Sequence, residues 1–134
     1  MYQHKTKIRV RYGETDKMGY LYYGNYAQYF EVGRVEAMRS LGLVYAELED
    51  RYHVMLPVAS YETKYVRPAR YDELLTITTH IIEMPNKFMK FYTEIHNEKD
   101  ELVNVGKVTL AFVSTKGKRR GAPGFMKKIM KKHF

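Results

Sequence analysis

The fold is decided by one stretch of this 134-residue chain, Tyr23-Gly-Asn-Tyr-Ala-Gln-Tyr-Phe-Glu-Val-Gly-Arg-Val-Glu-Ala-Met-Arg-Ser-Leu41. Its apolar residues recur at intervals of three and four, as on one face of a helix: Tyr23, Tyr26, Ala27, Phe30, Ala37, Met38 and Leu41. The neighbouring face is apolar as well, through Tyr29, Val32 and Val35. The pattern therefore predicts one long helix that other structure surrounds.

Two glycines add detail to this helix. Gly33 lies in its interior, where glycine costs about 1 kcal/mol relative to alanine, which indicates that another backbone approaches closely. Gly42 follows the last apolar residue, at the position where a left-handed cap ends a helix.

The flanking segments read as strands. Residues 5–11 alternate Thr6, Ile8 and Val10 with basic side chains, the period of a half-buried strand. Further strands are predicted over 54–66, 74–83, 88–96 and 102–114, and the short turns between the last three imply antiparallel pairing. In the last strand the apolar residues change from odd to even positions around Gly106, which predicts a bulge or kink there.

One long helix followed by an antiparallel sheet predicts an α+β fold in which the curved sheet wraps around the helix. A single helix cannot cover so large a sheet or protect its edges, so we expect self-association.

Positive charge is confined to the end of the chain. Lys and Arg number 23 against 15 Asp and Glu, and the net charge is +8. Residues 1–115 balance, so the whole excess lies in eight side chains: Lys116, Lys118, Arg119, Arg120, Lys127, Lys128, Lys131 and Lys132. We therefore divide the chain into a domain, 1–116, and a basic C-terminal tail, 117–134, that contains a short amphipathic helix. The tail could meet the phosphates of a small molecule, an anionic membrane or nucleic acid, or remain solvated.

Several classes of protein are excluded by composition. No apolar run approaches the roughly 20 residues that span a bilayer, and the polar N-terminal residues do not resemble a secretory signal. Cysteine is absent and the five histidines show no ligand spacing, so no metal or cofactor is expected. These observations predict a cytoplasmic domain.

The loop before the helix carries the candidate chemistry. Asp16 precedes Tyr23 by seven residues, and six of the 13 tyrosines lie in this region. The N–H groups at a helix start would polarise a carbonyl and stabilise the oxyanion formed on attack. Asp16 could fold back beside that carbonyl as a nucleophile or a general base. An Asx-turn or a capping aspartate with a structural role is the open alternative.

These residues resemble a known family. Asp16-Lys-Met-Gly19-Tyr-Leu-Tyr-Tyr23-Gly-Asn25-Tyr26 is followed by Tyr29-Phe30-Glu31, Arg34-Val-Glu36, Leu56-Pro57-Val58, Tyr65-x-x-Pro68-Ala69 and Asp72-x-Leu74. Together they resemble the hotdog-fold acyl-CoA thioesterases, in particular the 4-hydroxybenzoyl-CoA thioesterase/YbgC-like group. The resemblance covers roughly residues 5–115 and implies a hotdog fold.

The resemblance also implies a reaction and an assembly. The chain would hydrolyse an acyl-CoA thioester as a homodimer or a homotetramer (a dimer of dimers), with its active sites at the subunit interface. Asp16 would be the catalytic carboxylate, and the backbone N–H of Tyr23 would polarise the thioester C=O. The candidate substrate-binding residues are Gly19, Tyr20, Tyr22, Asn25, Tyr26, Arg67 and Arg70, the two arginines for coenzyme A phosphates.

One position departs from the family. YbgC-like members often carry His where this chain has Tyr23, so a mechanism using that imidazole does not apply, whereas a backbone donor survives. Some relatives also have G-H-V-N-N after the aspartate, where this chain has Gly19-Tyr-Leu-Tyr-Tyr23. This replacement points toward the 4-hydroxybenzoyl-like branch and a pocket that tolerates aromatic acyl groups. A thiol with a pKa of about 8.5 leaves without strong acid help, so a carboxylate and an oxyanion donor could suffice.

Other chemistries are not supported. The three serines lack the G-x-S-x-G setting of a nucleophile elbow, and no D-x-N-P-x-H hydratase motif is present. The second hypothesis is a non-catalytic dimeric hotdog scaffold that binds polyanions or nucleic acid through the basic tail.

Overall fold

The chain forms an antiparallel sheet with one long helix packed against it. A computed structural model describes all 134 residues. The helices and strands are, in chain order, β1 (Tyr2–Arg9), α1 (Tyr26–Ser40), α2 (Tyr45–Asp50), β2 (Val54–Met55), β3 (Val58–Tyr65), β4 (Leu74–Ile81), β5 (Phe88–His96), β6 (Leu102–Ala111), β7 (Val113–Ser114) and α3 (Gly124–Lys131).

The main sheet has five strands in the order β1-β4-β5-β6-β3, and every neighbouring pair is antiparallel. The predicted α+β class and antiparallel pairing are therefore confirmed. The predicted strand 54–66 is divided at Pro57, which has no N–H to donate to a ladder. As a result β2 pairs with β7 in a separate two-stranded sheet, while β3 joins the main sheet beside β6.

Helix α1 lies where the sequence predicts the central helix, but it begins later. A short 3-10 turn occupies Tyr23–Asn25, and regular α-helix starts at Tyr26. Tyr23 and Ala27, which were predicted to share the buried face, are both exposed. Tyr23 belongs to the turn and does not follow the helical period, and Ala27 faces a shallow groove beside the edge strand β3.

Gly33 is closely approached, but by side chains and not by the backbone that the sequence predicts. A Cβ at Gly33 would lie 2.7 Å from Cγ2 of Ile77 and 2.8 Å from Oγ1 of Thr79, both on β4. The predicted left-handed residue after the helix is confirmed, because Gly42 has φ +83°. The helix is thus held tightly against the middle of the sheet.

The predicted bulge at Gly106 is wrong. The register of β5 and β6 runs unbroken from Phe88 opposite Ala111 to Ile95 opposite Asn104. The register shifts only where His96 pairs with Leu102, which leaves Val103 as an unpaired bulge residue. The switch in which side chains face the helix therefore occurs at Val103. Gly106 instead lies on the helix-facing side of β6, where the missing side chain leaves room for the ring of Phe30.

The basic C-terminal segment packs on the rest of the chain. In α3, Met126 and Met130 are fully buried and belong to the same core as Phe30 and Leu110. The ring of Phe125 stacks on Tyr52 with centroids 4.2 Å apart. The apolar face of this amphipathic helix is therefore occupied by the protein itself. No helix of the structure combines the length and the apolar character that a membrane span requires.

Gly106→Ala tests this packing. The new Cβ would lie 2.8 Å from the backbone oxygen of Glu62 and would overlap the buried ring of Phe30. Overpacking of this kind costs about 1–3 kcal/mol, and we expect that loss in the free energy of unfolding measured by urea titration. Gly124→Ala is the control, because nothing lies within 4 Å of a Cβ at that position. Equal stability of the two variants would contradict the packing described here.

Candidate active site

The Asp16 loop is a tight turn closed by its own carboxylate. Oδ1 of Asp16 accepts backbone N–H groups from Met18 at 2.9 Å and Tyr20 at 3.2 Å. The backbone N–H of Asp16 donates to the carbonyl of Tyr20 at 2.8 Å, and Gly19 turns the chain with φ +79°. Asp16 is therefore an Asx-turn residue. The turn uses only Oδ1, and Oδ2 has no hydrogen bond within the protein.

Glu14 anchors this loop to helix α1. Its carboxylate is buried and accepts hydrogen bonds from Arg11 N–H at 3.0 Å, Arg11 Nη2 at 2.9 Å and the Tyr29 hydroxyl at 2.7 Å. Burial alone would raise the pKa of Glu14, but the hydrogen bonds from Arg11 and Tyr29 outweigh it and hold that pKa below its ordinary value. Sequence reasoning missed this residue, because Glu14 and Tyr29 are separated by 15 residues along the chain.

A groove of about 460 Å³ opens beside Asp16. It brings together five of the nine predicted site residues: Asp16, Tyr20, Tyr23, Tyr26 and Arg67. Tyr65 at the end of β3 also lines it and was not predicted as a site residue. The only signal for Tyr65 was its place in the family motif Tyr65-x-x-Pro68-Ala69.

One wall of the groove consists of tyrosine rings. The ring of Tyr65 packs edge-on against Tyr26 at 5.3 Å and against Tyr23 at 6.3 Å between centroids. Its hydroxyl donates to the carbonyl of Tyr23 at 3.2 Å. Burial raises the pKa of Tyr26 to about 12, so this phenol stays neutral at physiological pH. The wall is therefore aromatic and suited to flat apolar groups.

The other predicted residues lie around the groove rather than in it. Gly19 shapes the Asp16 turn. Asn25 donates from Nδ2 to the carbonyl of Glu14 at 2.9 Å, which joins the loop to the start of the helix. Tyr22 packs on the ring of Tyr23 at 4.7 Å and does not line the groove. The guanidinium of Arg70 lies over the ring of Tyr20, 4.9 Å from its centroid.

Two further grooves differ in their charge. The first, of about 510 Å³, contains Arg67, Arg70 and Lys99 but also three glutamates, and Arg67 pairs with Glu101 at 3.5 Å. The second, of about 410 Å³, lies between the β4–β5 turn and residues 119–121. Its charged residues are Lys87, Arg119 and Arg120, and no acidic residue lines it. Sequence reasoning did not combine these three cations, because they lie in a turn and in the tail. No three His, Cys, Asp or Glu side chains cluster closely enough to hold a metal ion.

Comparison with known proteins identifies the family of this chain. The family model described as the thioesterase superfamily matches residues 18–104. YneP of Bacillus subtilis is 38% identical over 103 residues, which are 76% of this chain and 73% of YneP. YbgC of Escherichia coli O6:H1, an acyl-CoA thioester hydrolase, is 31% identical over 117 residues, or 87% of each chain.

Solved structures agree. A DHNA-CoA thioesterase from Staphylococcus aureus is 34% identical with a TM-score of 0.85, covering 90% of this chain and 80% of that one. The chain belongs to the thioesterase superfamily. The hotdog fold and the acyl-CoA thioesterase activity implied by the sequence are therefore confirmed, and the protein is an enzyme.

The pKa of Glu14 makes a prediction for acid stability. The pKa of Glu14 is lower in the folded protein than in the unfolded chain, where it has its ordinary value of 4.5. The Glu14 carboxylate therefore stabilises the fold fully at pH values above 4.5, and this stabilisation is lost as the pH falls through the lowered pKa. Glu14→Gln should therefore be less stable than wild type at pH 7, and the difference should shrink as the pH falls below 4.5. Urea unfolding of both proteins at a series of pH values measures this. A difference independent of pH would contradict the lowered pKa.

Proposed function

We propose that this enzyme hydrolyses aromatic acyl-CoA thioesters in the groove between Asp16 and Tyr65, with Asp16 as its catalytic carboxylate. The observation that carries the proposal is the asymmetry of Asp16. One carboxylate oxygen is fixed by two backbone N–H groups, while the other has no protein partner, beside an aromatic groove. A carboxylate held in this way is both oriented and free to react.

Two routes are compatible with this geometry. As a general base, Oδ2 takes a proton from water, and the resulting hydroxide adds to the thioester carbonyl carbon. As a nucleophile, Oδ2 adds to that carbon itself and gives an acyl–Asp16 anhydride that water then cleaves. In both routes the C–S bond breaks when the tetrahedral intermediate collapses, and coenzyme A leaves as a thiolate.

The thioester oxygen needs a hydrogen-bond donor during this step. The 3-10 turn at Tyr23–Asn25 leads directly into α1, and N–H groups in a first helical turn have no acceptor within the helix. The backbone N–H of Tyr23 is our candidate donor, because Tyr23 lines the groove that also contains Asp16. This donor requires no imidazole, which suits a chain with Tyr at this position.

The aromatic wall supports an aromatic acyl group. Tyr23, Tyr26 and Tyr65 present aromatic rings to the groove, and such rings favour offset or edge-on contact with another ring. The S. aureus relative is a DHNA-CoA thioesterase, and DHNA-CoA is a 1,4-dihydroxy-2-naphthoyl thioester. Both observations favour a hydroxylated aromatic acid over an aliphatic one.

The edge strand β3 supports a homodimer. β3 has a partner only on its β6 side, and seven of its eight residues are exposed. Large apolar side chains along it, including Val58 at 55% and Tyr65 at 48%, are exposed to solvent. An eight-residue strand left in this state is a template for pairing, and a second copy related by a two-fold axis would pair with it antiparallel.

Such a dimer would also bring coenzyme A phosphates to cations. Along β6 the Asp16 groove lies near Asn104 and the cationic groove near Ala111, about 23 Å away at 3.3 Å per residue. Antiparallel pairing of two β3 strands sets the Tyr65 end of one beside the Val58 end of the other. Because Val58 pairs with Leu110, the cationic groove of the second copy would approach the first copy's Asp16 groove. We therefore assign the phosphates to Lys87, Arg119 and Arg120 of the second copy.

Asp16→Asn tests the catalytic role. The amide keeps an oxygen for the Met18 and Tyr20 N–H groups but cannot accept a proton or attack, so kcat should fall at least about 100-fold. Wild type should turn over 4-hydroxybenzoyl-CoA with a higher kcat/KM than hexanoyl-CoA, and the variant should lose both activities. Asp100→Asn, in the exposed β5–β6 turn, is the matched control and should remain active.

Turnover by Asp16→Asn at the wild-type rate would reject the assignment. Heavy-oxygen label in Asp16 after one turnover in labelled water would identify the covalent route.

Mixed dimers test the assignment of the phosphates. Arg119→Ser with Arg120→Ser should raise KM for an acyl-CoA but not for the matching acyl-pantetheine, which lacks the nucleotide phosphates. Mixing this variant with Asp16→Asn should restore turnover at low acyl-CoA concentration, because one site of each mixed dimer combines an intact Asp16 with intact cations from the other subunit. Lys131→Ser with Lys132→Ser, which removes the same charge from the C-terminal end of α3, is the control and should leave KM unchanged. Failure of mixing to restore activity would place the cations and Asp16 in the same subunit.

A further inference from the structure

We propose that Glu14 and Tyr29 act as a positioning pair that fixes the Asp16 carboxylate relative to the backbone N–H of Tyr23. The inference rests on the proposed catalytic role of Asp16. Neither Glu14 nor Tyr29 lines the groove, so they would act through Asp16 and Tyr23 rather than on the substrate.

The side chain of Glu14 connects the loop to the central helix. Two of its three hydrogen bonds come from Arg11, which belongs to the same short turn. The third comes from the hydroxyl of Tyr29 at 2.7 Å, and Tyr29 lies in the first turns of α1, where it is 2% exposed. Among these bonds, only the one from Tyr29 joins the loop to an element that the core holds rigid.

The backbone of Glu14 connects the same loop to the oxyanion side of the site. Its carbonyl accepts the N–H of Tyr22 and Nδ2 of Asn25, both at 2.9 Å. These two donors flank Tyr23 and Gly24, whose N–H groups open the helical turn. Glu14 therefore has two roles. It is covalently linked to Asp16, two residues further along the loop, and its backbone carbonyl holds the segment that contains Tyr23.

The chemistry of Glu14 favours positioning over simple packing. A buried carboxylate is costly unless its oxygens are satisfied, and apolar side chains of similar volume in place of a whole buried ion pair often stabilise a protein as well or better. Here the carboxylate accepts three hydrogen bonds in fixed directions, and Arg11 and Tyr29 supply all of them. Burial and the neighbouring Glu14 raise the pKa of Tyr29, so its hydroxyl remains protonated and continues to donate. Directional bonds to a buried charge set a geometry that apolar contacts would leave loose.

Tyr29→Phe is the direct test. It removes the hydroxyl that holds Glu14 and keeps the buried ring, so we expect kcat to fall about 10- to 100-fold from a small displacement of Asp16, with KM changed less than about twofold. The matched control is Tyr92→Phe, because Tyr92 also donates its hydroxyl to a glutamate, Glu83, at 2.9 Å, on β5 away from the groove. The control should keep wild-type kcat.

A second variant separates positioning from stability. Glu14→Gln keeps an oxygen for Tyr29 and Arg11, so its kcat should be intermediate between those of wild type and Glu14→Ala. A merely structural pair would lower the melting temperature and leave kcat per folded molecule unchanged, and that result for Tyr29→Phe would overturn the inference. Asp16→Asn in the same assay keeps the two proposals distinguishable. If Asp16→Asn is inactive while Tyr29→Phe turns over normally, only the positioning inference fails; if Asp16→Asn is active, the catalytic assignment fails.

Discussion

The packing of α1 against the middle of the sheet is the constraint on which the rest of the structure depends. Two glycines permit it, Gly33 on the helix against β4 and Gly106 on β6 against the ring of Phe30. Protein interiors are close-packed, so a helix seated this tightly cannot slide or rotate without overlap. Its N-terminal end is therefore fixed in space. Everything the site needs from the backbone, including the turn at Tyr23 and the anchor supplied by Tyr29, takes its position from that end.

The loop that carries Asp16 is placed by a different kind of interaction. It lies outside the sheet, and although Leu21 packs into the core, the turn at Asp16 itself, residues 15–20, contains no buried side chain. Polar bonds hold this turn in place: Asp16 closes it through Oδ1, and Glu14 ties it to Tyr29 and to Asn25. The structural and catalytic interpretations of Asp16 are therefore not exclusive. One oxygen of the carboxylate closes the turn, and the geometry of the turn leaves the other exposed for chemistry.

Local patterns in the sequence predict much of this fold and less of the site. The ends of β5 match their prediction residue for residue, and α1 ends one residue before its prediction, because each is strongly periodic and bounded by turn residues. The helix α2 has only one buried residue, Leu48, and so leaves no periodic signal. The bulge at Val103 was assigned to Gly106 because parity alone does not locate an extra residue, whereas pairing with β5 does. Tyr65 and Glu14 were not predicted as site residues, because their hydrogen-bond partners lie 42 and 15 residues away along the chain.

The distribution of charge follows from this arrangement and matches the shape of the substrate class. Near Asp16 the one cation that lines the groove, Arg67, pairs with Glu101, and four tyrosines line the groove. At the opposite end of β6, Lys87, Arg119 and Arg120 have no acidic neighbour in their groove. An acyl-CoA has the same polarity, an uncharged acyl group at one end and phosphates at the other. The two grooves lie at opposite ends of one sheet, and in the proposed dimer, antiparallel pairing at β3 would bring the complementary ends of two subunits together. Of the eight cations that give the chain its net charge of +8, Arg119 and Arg120 line this groove, and the proposed dimer would give them a role in binding the phosphates.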